Sequence, residues 1–248
     1  MIVRGVTNVS TYWWTDVPNF GDALVPLLIS KFTDLTPING PAATAQVVTL
    51  GSVIETLPAS WPGIVAGAGK IRGDKPSSLP NATILSVRGP LTAAALGAPN
   101  AVLGDPGLLA NELVTVEERD FEVGIVPHWS DTRLAYDYRF ESLPGRVVIS
   151  PLQDPLTVVD MIGRCKKIVT SSLHGAVVAD AFGIPRRTEI AARFLYDEYE
   201  GGTFKFEDYN ASVGLPFVIG ELQTANSQTV NDRQDEVHDM FTALNGML

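Results

Sequence analysis

Short apolar runs recur along the chain, each closed by a cluster of small, polar or charged residues. Gln46–Leu50, Ile64–Ala66, Thr83–Val87 and Ala101–Leu103 read as buried strands of this kind. They end at Gly51-Ser52, at Gly67-Ala68-Gly69-Lys70-Ile71-Arg72-Gly73, at Arg88-Gly89-Pro90 and at Gly104-Asp105-Pro106-Gly107. A helix is expected over Leu91–Leu96. Another follows Asn19-Phe20-Gly21-Asp22, where Leu24, Leu27, Leu28 and Phe32 keep helical spacing and Pro26 fits the first turn. The charged stretch Glu117–Asp120 interrupts the pattern, which then restarts. Strands are expected at Glu122–Val126, Arg146–Ile149, Ile168–Thr170 and Thr188–Ala191, with helices over Pro155–Arg164 and Leu173–Phe182. Asn210–Asn231 reads as loop and Asp232–Leu244 as a closing helix. This repetition predicts an α/β fold of two Rossmann-like lobes, residues 1–116 and 117–248, with a cleft between them.

The stretch from Lys167 to Gly175 carries the most chemistry. After the strand Ile168–Thr170 come Ser171 and Ser172, then the helix opened by Leu173, His174 and Gly175. Ser172 is placed to cap that helix, which leaves the first N–H groups pointing outward. Two hydroxyls, those donors and the positive helix end make an anion site. Gly175 is read as the place where an anion approaches the backbone, and His174 as the group able to exchange a proton near neutral pH. A helix cap or a satisfied buried histidine is the plainer alternative.

Composition narrows the partners. The 248 residues hold 45% hydrophobic side chains and a formal net charge of −10. That balance argues against a nucleic-acid partner, which calls for a basic face. A small anionic ligand is still compatible, because Lys70, Arg72 and Arg88 cluster near strand ends and the glycine-rich turn Gly67–Gly73 is read as a place where backbone meets ligand. The single cysteine, Cys165, excludes an internal disulfide and is read as a packing residue. No apolar run reaches bilayer length, and the start of the chain lacks a signal-peptide pattern, so the cytoplasm is the expected compartment. Tyr12-Trp13-Trp14 is a strand, a packed cluster or a sugar-stacking platform, with packing preferred.

Taken in order, several motifs resemble the polysaccharide pyruvyl transferase family, and bacterial exopolysaccharide ketal-pyruvyltransferases in particular. They are Asn19-Phe20-Gly21-Asp22, Gly67-Ala68-Gly69-x-x-Arg72-Gly73, Val87-Arg88-Gly89-Pro90-Leu91-Thr92 and Gly104-Asp105-Pro106-x-Leu108-Leu109. Ile125-x-Pro127-His128, Ser171-Ser172-Leu173-His174-Gly175, Phe204-Lys205-Phe206-x-Asp208-Tyr209 and Ser212-Val213-Gly214 complete the set. The resemblance implies a glycosyltransferase-B-like fold, phosphoenolpyruvate as donor, and a pyruvate ketal on a saccharide as product. It implies no metal and no cofactor, and a lipid-linked acceptor at the inner face of the cell membrane. The family's Val-Arg motif falls on Arg88 and its Ser-x-Leu-His motif on Ser171, Ser172, Leu173 and His174. Some members carry an arginine where this chain has Ser172; Lys70, Arg72 or Lys205 could supply that charge.

On this reading Arg88 clamps donor oxygens as a fork, the Ser172–Gly175 helix start neutralises departing phosphate, and His174 transfers the proton. Asn19 and Asp22 belong to the acceptor side, where Asp22 could orient or deprotonate a hydroxyl. His128 is a second candidate at a strand end. Asp105 is read as part of a turn between lobes. Two other readings stay open: a nucleotide-sugar glycosyltransferase of the same architecture, and a non-catalytic glycan-binding protein using Trp13 and Trp14. The first needs an acidic residue for ribose hydroxyls, and the helix after His174 offers only Asp180, late and on another face.

Overall fold

Apolar runs of only a few residues suit strands buried on both sides, and here they assemble into two parallel sheets. The computed structural model describes residues 7–73, 77–131, 143–190 and 202–248. The first sheet contains β1 (Thr7–Thr11), β2 (Leu35–Asn39), β3 (Val47–Val48), β4 (Ile64–Ala66), β5 (Thr83–Val87) and β6 (Val102–Leu103). Its order is β2-β1-β3-β4-β5-β6, parallel throughout. The second contains β7 (Val123–Val126), β8 (Arg146–Val148), β9 (Ile168–Thr170), β10 (Arg186–Thr188) and β11 (Leu222–Gln223). Its order is β11-β10-β9-β7-β8, and only the β10–β11 pair is antiparallel.

Each sheet changes direction of winding once. In the first, the chain goes outward from β1 to β2 and then returns to β3 on the other side of β1. In the second, it goes from β7 to β8 and returns to β9. Between such neighbours the following segments diverge, which opens a crevice at the carboxyl ends of the strands. Tyr12 to Trp14 follow β1 and Gly51-Ser52 closely follow β3. His128 and Trp129 follow β7, and Ser171 to His174 follow β9. Both crevices contribute to one site.

Among the described residues the α-helices are α1 (Phe20–Phe32), α2 (Pro90–Ala95), α3 (Pro155–Gly163), α4 (Leu173–Ala181), α5 (Phe204–Ser212) and α6 (Ser227–Met247). A 3-10 helix over Pro106–Leu113 packs against α1, α4 and α6. One buried cluster runs from Val9, Leu24 and Ile64 through Leu109 to Val126, Ile162 and Phe241, so apolar packing is continuous between the sheets. The faces of α6 explain its place: Val230, Val237, Met240, Phe241 and Leu244 are buried at helical spacing. Although last in sequence, α6 packs on β4, β5 and β6 of the first sheet.

Most predicted strands and helices are present within a residue or two, with Ile64–Ala66, Thr83–Val87 and Ile168–Thr170 unchanged. Several expectations need correction. The strand near the aromatic region is Thr7–Thr11; Tyr12-Trp13-Trp14 follow it, and Tyr12 and Trp13 pack against buried core, the preferred alternative. Strand β2 was not among the expected strands; its Pro37 is tolerated at the sheet edge, where no ladder bond is needed on the outer side. The strand expected at Thr188–Ala191 lies at Arg186–Thr188, and Ala191 is outside the described residues. Asn210 to Ser212 finish helix α5 instead of opening a loop. The closing helix begins at Ser227, because the Asn226 side chain accepts from the N–H groups of Gln228 and Thr229. A polar first turn hides such a start from hydrophobic periodicity.

Candidate functional site

A cavity of about 320 Å³ opens where the two crevices meet. Tyr12 and Trp14 reach it from the end of β1, and Ser52 and Glu55 from beyond β3. Asn19 and Asp22 come from the start of α1, and His128 and Trp129 from the end of β7. Ser172, Leu173 and His174 come from the start of α4, and Lys205 from the first turn of α5. The structure therefore brings together Asn19, Asp22, His128, Ser172, Leu173, His174 and Lys205 from the candidates named above.

His174 is buried, and its Nε2 has no hydrogen-bond partner among the described residues. Burial, then the charges of Arg88 and Lys205, lower its pKa to about 3. The imidazole is thus neutral in the free protein: burial and two cations move its titration well below the near-neutral range read from the sequence. Its ring lies against Gly21: a Cβ there would come within 2.6 Å of His174 Cγ and closer still to Nδ1. Any larger residue at position 21 would contest the space of the ring. Ser172 is the N-cap of α4, its Oγ accepting from Gly175 N at 3.4 Å. The N–H groups of Leu173 and His174 have no acceptor among the described residues.

Asp22 faces the same cavity in the opposite electrostatic condition. Burial raises its carboxyl to about 6, against the opposing influence of the Asn19 hydrogen bond and the Lys205 charge. Asn19 Nδ2 donates to Asp22 Oδ2 at 2.7 Å. The Lys205 ammonium acts on both titrating groups, stabilising carboxylate at Asp22 and disfavouring imidazolium at His174. Two titratable groups pushed to opposite sides of their usual range, with a cation between their effects, form an acid/base pair in the chemical sense.

Arg88 stands behind the cavity wall. Its guanidinium is fully buried, with Nε donating to Asp208 Oδ2 at 3.1 Å, Nη1 to Ser52 Oγ at 2.7 Å and Nη2 to the carbonyl of Lys70. Asp208 also accepts from Thr92 N at 2.9 Å and Thr92 Oγ1 at 2.6 Å. This network locks α5 to the end of β5 and so positions Lys205, three residues before Asp208. The fork that the sequence assigns to a donor is thus directed at protein groups, and Arg88 reaches the site through Ser52 and through its field on His174.

Two glycine readings change in the same way. The turn Gly67–Gly73 was expected to meet a ligand, but Gly69 instead lies under the guanidinium, where a Cβ would be 2.6 Å from Arg88 Nε. Gly175 makes room for the side chains of Thr170 and Val126 rather than for an anion. Lys70 is buried, with Nζ 3.0 Å from Ser77 Oγ and 3.8 Å from Glu55, and does not line the cavity. Arg72 is half-buried outside it, its N–H bonded to Glu55. Ser171 supports the wall from behind, accepting from His128 N at 2.8 Å. Asp105 is fully buried and caps the 3-10 helix Pro106–Leu113 through Gly107 N rather than forming a turn between lobes.

Cys165 is buried with its thiol pushed up to about 12 by burial, consistent with packing. Asp180 pairs with Arg186 at 3.1 Å and accepts from Tyr209, away from the cavity. The sequence reading missed Ser52, Glu55 and Trp129 as wall residues and Asp208 as the partner of Arg88. Ser52 and Trp129 stand at strand ends already marked as ligand-facing; Asp208 lay inside a quoted motif, but nothing local links it to a residue 120 positions earlier.

Among the described residues, no group of three or more His, Cys, Asp or Glu side chains is placed to hold a metal ion, and no helix is long and apolar enough to cross a membrane. Residues 77–187 match the family model described as polysaccharide pyruvyl transferase. The chain is 29% identical over 217 residues to the succinoglycan biosynthesis protein ExoV of Rhizobium meliloti (strain 1021), covering 83% of this chain and 65% of that one. It is 31% identical over 118 residues to the uncharacterized protein L143 of Acanthamoeba polyphaga mimivirus, covering 46% and 40%. The chain thus spans less than two thirds of the length of either relative. The stretch matched by the family model takes in Arg88, Asp105, His128 and the Ser171–Gly175 turn, so the resemblance drawn from the motifs holds there.

Proposed function

We propose that this chain, with its polysaccharide pyruvyl transferase segment, moves the enolpyruvyl group of phosphoenolpyruvate onto a saccharide to form a pyruvate ketal. The observation that carries the reading is the buried, unpartnered Nε2 of a neutral His174 at a helix start, in one cavity with Lys205 and a protonatable Asp22. Matches to the family and to a relative named for succinoglycan biosynthesis support it.

Two acceptor hydroxyls and one donor enter, and a ketal and one phosphate leave. One hydroxyl proton ends on the methyl carbon and the other departs with phosphate. The site must therefore accept protons from oxygen and deliver one to carbon. Neutral His174 is suited to accept from the attacking hydroxyl, and bound donor charge would raise its pKa and favour the imidazolium that protonates the enol carbon. Asp22 is suited to hold or relay the second proton. Lys205 and the first N–H groups of α4 stabilise charge on carboxylate and phosphate. The reaction asks for neither metal nor redox cofactor. A lipid-linked acceptor, a cytoplasmic site of action, lobes divided at residue 116 and a glycosyltransferase-B arrangement belong to the same proposal.

A thermal-shift titration of the purified chain tests it. Phosphoenolpyruvate should raise the midpoint, with and without a chelator, and more than pyruvate or phosphate does. A sugar nucleotide that stabilises far better would replace this reading by a glycosyltransferase; no response to either would leave a glycan-binding protein.

A further inference from the structure

We propose that Trp14 and Trp129 form the acceptor-sugar subsite, a two-ring wall that takes the apolar face of one pyranose; the assignment rests on the transferase reading of the cavity. Trp14 lies three residues past β1 and Trp129 three past β7, so the two rings come from different sheets. Their centroids are 5.5 Å apart with planes tilted by 41°. Both line the cavity and both are partly exposed. Trp61 shows what a packing tryptophan looks like in this fold: it is 1% exposed, and its Nε1 donates to the carbonyl of Ala45 at 2.8 Å.

Trp14 is held by its edge, Nε1 donating to Asp16 Oδ2 at 3.1 Å, which fixes the ring orientation. His128 also lies near Trp129, with ring centroids 5.4 Å apart, and its Nδ1 is 2.9 Å from Ser130 Oγ. A pyranose presents C–H groups on its faces and hydroxyls around its rim. The faces match the electron-rich surface of an indole. The rim hydroxyls need donors and acceptors, and Asn19, Asp22, Glu55 and Thr56 line the same cavity.

The two substrates differ in charge. The cationic side, with Lys205 and the start of α4, suits an anion. Asp22 and Glu55 line the same cavity and offer carboxylate acceptors to the hydroxyls of a neutral polyol. The wall therefore takes the acceptor, and leaves the donor to the His174 side.

Ligand-observed NMR on the full chain, with methyl β-D-glucopyranoside and methyl β-D-galactopyranoside as probes, tests the assignment beside phosphoenolpyruvate affinity. Saturable binding of at least one glycoside is expected, weakened tenfold or more in Trp14→Ala and in Trp129→Ala. Phosphoenolpyruvate affinity should stay within twofold. Trp14→Phe, which keeps a ring, should restore glycoside binding to within threefold, and it remains informative if an alanine variant fails to fold. Glycoside binding that is absent in the wild type, or unchanged in the variants, overturns the subsite. So does loss of phosphoenolpyruvate affinity in Trp129→Ala or Trp14→Phe, which would move the wall to the donor. A wild-type chain that binds glycoside through these rings but not phosphoenolpyruvate leaves the subsite standing and removes the donor reading.

Discussion

Gly21 and His174 come from the starts of α1 and α4 and lie against each other, with no room for a β-carbon between them. The start of α1 thus forms the floor on which the imidazole of α4 rests. This contact joins two motifs that are 153 positions apart, a separation read as 174 minus 21.

Gly21→Ala should therefore act on His174 rather than on α1, whose helical propensity alanine would improve. A displacement of about 1 Å at a reacting group can cost on the order of 10²-fold in rate. We expect phosphate release from phosphoenolpyruvate, with acceptor present, to fall by about that factor while the far-ultraviolet circular dichroism stays native. Unchanged turnover would mean that the ring position is not limiting.

Substituting His174 by Gln keeps size and some hydrogen bonding but removes the proton-carrying group. Loss of a general acid/base costs about 10²–10⁴-fold in rate. Turnover should fall within that range while donor affinity changes little. The reverse pattern, near-normal turnover with weak binding, would make His174 a ligand-holding residue and pass proton transfer to Asp22 or His128.

For Arg88→Lys the primary expected effect is on stability. An ammonium cannot serve Asp208, Ser52 and the Lys70 carbonyl from one plane. Breaking a buried, hydrogen-bonded charge pair costs roughly 3–5 kcal/mol. Denaturant unfolding should show a loss approaching this, and donor affinity measured on the fraction still folded should weaken less than in Lys205→Ala. A variant as stable as the wild type, with donor binding abolished, would return Arg88 to the clamp role.

The motif residues were legible because strand ends in an α/β sheet are where ligands bind, and the positions of Asp22, His128 and His174 relative to β7, β9 and α1 followed from local pattern alone. Roles were less legible. A guanidinium near a strand end looks the same in sequence whether it points at a ligand or at an aspartate 120 residues later, and only the fold decides. The same holds for Gly69 and Gly175, whose missing side chains accommodate Arg88 and Thr170. Packing across long sequence separations leaves no periodic trace.

Asp105 supplies a pH test. Burial raises its carboxyl from 3.8 to about 6, so between those values the native state binds a proton more tightly than the unfolded chain does. Its contribution to stability is complete below pH 3.8 and is lost as pH rises through about 6, a difference on the order of 3 kcal/mol. His174, lowered from 6.5 to about 3, acts in the opposite sense: its neutral form favours folding above pH 6.5, and that contribution is lost as pH falls towards 3. Comparing wild type with Asp105→Asn by denaturant unfolding at pH 4 and pH 7 isolates the first effect. The amide should be relatively more stable at pH 7 than at pH 4; an equal difference at both would show that Asp105 does not titrate in this window.

Helix α6 lies on β4, β5 and β6, although more than a hundred residues separate it from β6. During synthesis the first sheet leaves the ribosome with that side bare, and Phe241 and Leu244 follow more than a hundred residues later. Order of translation and order of folding therefore cannot coincide for this half of the molecule. Nascent chains stalled at residue 220 should expose the uncovered apolar surface to chaperones, and emergence of α6 should end that exposure.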